Sequence, residues 1–169
     1  MARFSTEITI DGIPRVLSLF SRFGDAADNL EGAFEEIGDD FKRMESERFA
    51  AGGPGWAPLT PRYAAWKSAH YPGRPILTRE GSLREGLSGG SRYIQRISRK
   101  EGEYGTSVPW AIYHQRGTSR MVARKPIEVK SADRTRWARI IQRHVVSAAR
   151  GGAGGGISGA IGRITGLFR

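Results

Sequence analysis

Apolar residues recur with a helical period through the first third of the chain. Val16, Phe20, Phe23, Ala27, Leu30, Phe34, Ile37, Phe41 and Met44 lie alternately four and three positions apart, the rhythm of one continuous apolar stripe on a helix. The intervening positions hold Asp25, Asp28, Glu31, Glu35, Glu36, Asp39 and Asp40. Pro14 stands just before the pattern, where its missing N–H costs little, and Gly52-Gly53-Pro54-Gly55 ends it. The spacing predicts one uninterrupted helix over residues 16–49, about 50 Å long. Such a helix could pair with another chain as a coiled coil or lie across a small sheet. Four phenylalanines in the stripe favour the sheet, because dimeric zippers are built from branched aliphatics.

Around this helix the pattern changes period. Phe4, Thr6, Ile8 and Ile10 alternate with Ser5, Glu7 and Thr9, which predicts a strand turned into the helix by Asp11-Gly12. Residues 52–91 form an arm punctuated by Pro58, Pro61, Pro72, Pro75 and several glycines, with helical turns only near residues 61–69 and 82–87. Trp56, Leu59, Tyr63, Trp66, Tyr71, Ile76 and Leu77 are too apolar for a solvated linker, so the arm is expected to be covered. Residues 92–99 and 103–108 read as a hairpin closed at Lys100-Glu101-Gly102. Pro109 opens a helical turn through Trp110, Tyr113 and His114 that Gly117 closes. Residues 121–129 are a third candidate strand, placed at an edge by Pro126. A second helix runs from an N-cap at Ser131 to Ala149, with Trp137, Ile140, Ile141, His144, Val145 and Ala148 on one face and arginines on the other.

The fold class expected is α+β: a long N-terminal helix on a small antiparallel sheet, an extended arm, and a second C-terminal helix. Residues 1–150 make one domain, and residues 151–169 a glycine-rich hinge and docking tail. Ile161, Ile164 and Phe168 give that tail an apolar set at near-helical spacing, a composition that expects a partner.

Composition adds restrictions. The 169 residues suit a single domain, and mean hydropathy of −0.44 with 23 glycines implies much loop. There is no cysteine, hence no disulfide and no thiol chemistry. No apolar run reaches the roughly eighteen residues of a membrane span, and Ser5, Thr6 and Glu7 break any signal-peptide core. The net charge of +10 is unevenly spread: residues 1–50 carry six Lys/Arg against eleven Asp/Glu, and residues 92–150 fourteen against four. Opposite faces of this kind could join copy to copy or hold nucleic acid, in the latter case through non-specific phosphate contact, since no base-reading motif is present.

Catalytic machinery is not expected. Gly86-Leu87-Ser88-Gly89-Gly90 matches the nucleophile-elbow spacing but follows no strand. His70, His114 and His144 are isolated from one another, which argues against a metal site. The run from Gly151 to Gly156 lacks the Gly-Lys-Ser/Thr ending of a phosphate loop. No catalytic, cofactor-binding or metal-binding residue is assigned, and no cofactor.

Two blocks of residues carry a family likeness. Gly55-Trp56-Ala57-Pro58-Leu59, Lys67, Arg74-Pro75-Ile76-Leu77-Thr78 and Gly81-Ser82-Leu83-Arg84 make the first. Tyr104-Gly105, then Trp110-Ala111-Ile112-Tyr113-His114-Gln115-Arg116-Gly117-Thr118, then Ala123-Arg124-Lys125-Pro126 make the second. In order and spacing they resemble the tailed-phage virion morphogenesis, or tail completion, proteins over residues 55–145. Ile127-Glu128-Val129 stands where that family usually has an aromatic-leucine pair, and the glycine-rich tail has no counterpart. The resemblance implies a small α+β subunit with a curved antiparallel sheet, assembled typically six at a time into a ring at the head–tail junction. It implies a structural virion protein, of tail completion or tail terminator type, made in the host cytoplasm. The partners implied are further copies of itself, a head–tail connector or stopper, tail-tube or tail-terminator proteins, and DNA passing through the lumen, with no membrane. The interface residues expected are Trp56, Leu59, Tyr63, Trp66, Ile76, Leu77, Trp110, Tyr113, His114, Gln115 and Arg124, with Ile161, Ile164 and Phe168 from the tail. The alternative is a basic nucleic-acid-binding accessory protein without catalysis.

Overall fold

The computed structural model describes the backbone of residues 13–151 and the side chains of residues 21–150. Among them lie six helices and one hairpin, in the order α1 (Ile13–Asp28), α2 (Glu31–Ala50), α3 (Pro61–His70), α4 (Ser82–Leu87), β1 (Tyr93–Ile97), β2 (Gly102–Thr106), α5 (Ala111–Arg116) and α6 (Ser131–Gly151). The architecture is α+β. The strand expected over residues 4–10 and the tail residues Ile161, Ile164 and Phe168 lie outside the described residues.

The single helix expected over residues 16–49 is two helices, interrupted at Asn29-Leu30. Its apolar rhythm continues across the break, but its hydrogen bonds are diverted. Asn29 Oδ1 accepts from the Glu31 N–H at 3.2 Å, and the Leu30 N–H donates to the Arg99 carbonyl beside the hairpin tip at 2.8 Å. The His144 ring lies 3.2 Å from the Asn29 carbonyl, and Lys100 pairs with Asp28 at 2.7 Å. An asparagine that bonds its own neighbourhood competes with the helix ladder, and here the hairpin and α6 hold the competing arrangement in place. α1 therefore lies along α6, while α2 packs against α6, α4 and both strands.

Along α2 the inward line is Ala33, Ile37, Phe41, Glu45 and Phe49, each one turn on from the last. Phe41 and Phe49 join Leu83, Leu87 and Val108 in one core cluster, and Ala33 and Ile37 join Ile140 of α6 in a second. The hairpin lies close because position 38 is glycine: a Cβ there would stand 2.8 Å from Cε1 of Tyr104. Tyr104 stacks on Phe41 at 5.9 Å, and its hydroxyl donates to the Phe34 carbonyl at 2.5 Å. Asp40, which the pattern put on a solvated acidic face, is buried. Trp137 Nε1 and Arg136 Nε donate to its Oδ2 at 2.8 and 2.7 Å, and Arg43 caps its Oδ1. Burial pushes this carboxyl up, but the bonds from Arg136, Trp137 and Arg43 outweigh it and hold it below the usual range.

Several expectations hold closely. α2 stops at Ala50, and Gly52 and Gly53 take φ of +74° and +71°. α3, α4, the β1–β2 hairpin and α5, closed by Gly117 at φ +75°, all lie where the spacing put them. The start of α6 differs by one residue: Lys130 occupies the cap, with its N–H donated to Asp133 Oδ2 at 2.9 Å. The third strand is absent from the described residues. Only a bridge between Thr118 and Met121 forms, and the segment that follows, here called the strap, crosses the surface without ladder bonds.

Candidate interaction surface

The strap keeps its position through side chains of other elements. Trp56 Nε1 donates to the Lys125 carbonyl at 2.8 Å, and Arg48 donates to the carbonyls of Pro126 and Glu128 at 3.0 and 2.5 Å. The Gln115 amide pairs with both backbone groups of Ile127, donating at 2.9 Å and accepting at 3.2 Å. The Arg124 N–H reaches the His114 carbonyl at 2.9 Å. Backbone groups that a strand would satisfy by pairing are satisfied here one at a time, which is why alternation in the sequence produced no strand.

Arg124 carries the same logic into the arm. Its buried guanidinium donates to the Ala57 carbonyl at 2.6 Å and to the Pro58 carbonyl at 2.7 Å. Lys67, also buried, reaches the Pro75 carbonyl at 2.5 Å, and Thr78 donates to the same oxygen at 2.6 Å. Burial lowers the Lys67 pKa. Leu77 holds φ +61°, a conformation costing a leucine about 1–2 kcal/mol, while its side chain packs against the core. Trp56 meets Phe49 edge to face at 5.2 Å, in the space that a Cβ on Gly53 would fill.

Between arm and strap these ties leave open a groove of about 650 Å³, walled by Leu59, Tyr63, Leu83, Trp110, Met121 and Val122. His114 sits half-buried in its wall with Nδ1 unpartnered. Burial, helped by the charge of Arg124, lowers the His114 pKa, so the ring is neutral at pH 7. Around the groove the surface is apolar: Trp110 is 41% exposed, Tyr113 57% and Val122 65%. On α3, Tyr63, Trp66 and His70 stack in an outward row, with ring separations of 5.5 and 4.7 Å.

The residues expected at an interface thus separate into two groups. Trp56, Gln115 and Arg124 are each bonded to a carbonyl or N–H of their own chain and hold the arm and the strap in place. Leu59, Ile76 and Leu77 are half-buried. Tyr63, Trp66, Trp110 and Tyr113 remain outward on one face, with His114 in the groove beside them. Val122 lines the groove on that face as well, and Ile112 is exposed on α5. Sequence reading named neither: Ile112 was passed over between Trp110 and Tyr113, and Val122 fell within the expected edge strand over residues 121–129.

Residues 12–146 match the phage virion morphogenesis family. The chain belongs to that family. The match takes in α1 and α2 as well as the two blocks quoted above, and ends before the glycine-rich tail. No curated protein and no solved structure matches the chain. This phage virion morphogenesis protein is accordingly a component of phage particle construction. Among its described residues no helix is long and apolar enough to cross a membrane.

Proposed function

We propose that the protein is a non-catalytic structural component of the phage neck, of tail completion or tail terminator type. Six copies close into a ring that joins the tail to the head connector and lets DNA pass. The observation that supports this reading is the outward face of Tyr63, Trp66, Trp110, Tyr113 and Val122. Contiguous exposed apolar side chains on a soluble subunit mark a surface meant to be covered. Burying one large side chain of this kind is worth about 1.5–3 kcal/mol, so several together are enough to hold an assembly. The outer side of α6 supports a lumen: Arg134, Arg139 and Arg150 are exposed and make no ion pair among the described residues. Within a ring such a face suits passing DNA through phosphate contact alone.

Native mass measurement of the purified full chain, alone and with connector or tail-tube proteins, tests the reading. The expected result is one closed species that adds to its partners as a unit. A chain that stays monomeric in every mixture, while shifting short duplexes at moderate salt, would support the nucleic-acid-binding alternative instead.

A further inference from the structure

Charge is distributed along α2 in a way the ring reading does not require. At its N-terminal end lies a hollow of about 590 Å³, lined by Asp25, Glu31, Glu35, Gly32 and His144, with Arg22 as its one cation. Other acids nearby are already engaged: Asp28 by Lys100, Glu36 by Arg143, Asp39 by Lys42, and Asp40 by Arg136. Asp25, Glu31 and Glu35 are exposed and make no ion pair among the described residues.

At the other end, α2 reaches the strap through Arg48, about 25 Å along the helix axis from Glu31. There the aromatic face carries the opposite sign. Arg62, Arg74, Arg116, Arg120 and Lys125 are exposed and unpaired among the described residues, whereas Lys67 and Arg124 are spent on carbonyls of their own chain. Residues 58–80 and 110–125 together hold eight Lys/Arg and a single acid, Glu80, which Arg79 pairs.

We propose that the basic aromatic face around α5 and the groove docks on the acidic hollow at the N-terminal end of α2 in a second copy of this chain. The inference rests on the ring reading and specifies its contact. A two-fold dimer through either patch would set like charge against like, which is costly at an interface. Joining the two different patches cancels charge and leaves an unfilled patch of each kind at the ends of every open assembly. Contacts of this heterologous kind continue until they close. Ile112, Tyr113 and Arg116, exposed on α5, supply the apolar and cationic parts of the docked surface.

Complementation between two variants tests it. Arg116→Glu/Arg120→Glu spoils only the basic face, and Glu31→Gln/Glu35→Gln only the hollow, so the two altered faces do not attract each other; none of the four side chains is in the core. Each variant alone should be monomeric at low salt by sedimentation velocity. Their equimolar mixture should give a one-to-one dimer and nothing larger, since one intact pair of faces remains. That dimer should weaken at least tenfold at 0.5 M salt, where the Debye length is about 4 Å. The milder Arg116→Gln/Arg120→Gln, compared at matched melting temperature, should lower association in the same direction and so separates lost contact from lost fold. Variants that assemble like the wild type, or a mixture that stays monomeric while the wild type assembles, overturn this pairing of faces and leave the ring reading standing. A wild-type chain that never assembles overturns the ring, and the pairing with it.

Discussion

Glu45 is the residue whose environment fits it least. It occupies the inward line of α2 between Phe41 and Phe49, is fully buried, and neither carboxyl oxygen has a hydrogen-bond partner. Arg48, at 3.6 Å, gives partial compensation. Burial, with a contribution from Asp133, pushes the Glu45 carboxyl up to about 7. The folded state therefore binds this proton more tightly than the unfolded chain, whose carboxyl titrates near 4.5. Stability from this group is complete below about pH 4.5 and is lost as pH rises through 7, an effect of about 3 kcal/mol. Glu45→Gln should remove that slope and raise stability at pH 8, as read by urea unfolding at pH 5 and pH 8. His114 works in the opposite sense: its lowered pKa removes stability as pH falls through about 6.5. The Gln variant should leave that acid-side loss in place. Two further substitutions separate residues that hold the subunit from residues that face outward. Arg124→Lys keeps the charge but loses the two-pronged bond to Ala57 and Pro58, and should cost about 1.5–3 kcal/mol. Tyr113→Ala, on an exposed side chain, should change stability by about 0.5 kcal/mol or less while weakening self-association in the same samples.

At the scale of elements, sequence reading succeeded where glycine and proline punctuate and failed where side chains override. The ends of α2, α3, α4, α5 and the hairpin follow from turn residues that leave the backbone few choices. The break at Asn29 was hidden because the apolar spacing runs through it undisturbed; what breaks the helix is the Arg99 carbonyl and His144, distant in sequence. The strap was hidden for the same reason. Its alternation resembles a strand, but Arg48, Trp56 and Gln115 take up the backbone groups that a neighbouring strand would need. Among the aromatic residues of the arm, composition could not separate Trp56, which finds cover on Phe49, from Trp66, which stays exposed. The close approach of hairpin to α2 gives a direct check. Gly38→Val would drive a side chain into Tyr104 and Gln95, and should lower stability by about 1–3 kcal/mol in thermal unfolding.

For the molecule as a whole, the surface is polarised, acidic around the α1–α2 elbow and basic around the groove and α6, on a chain of net charge +10. Polarity of this kind speaks to association and to partners rather than to the fold. Membership of the phage virion morphogenesis family places the protein in particle construction, and the uncovered aromatic face supports a subunit that works only among its neighbours. The most direct test is the number of copies in purified particles of the phage that encodes the chain, measured by quantitative mass spectrometry against a major tail protein. One neck ring predicts six copies per particle, each of 18.6 kDa. No copies in finished particles, or a number that scales with tail length, would contradict a neck ring.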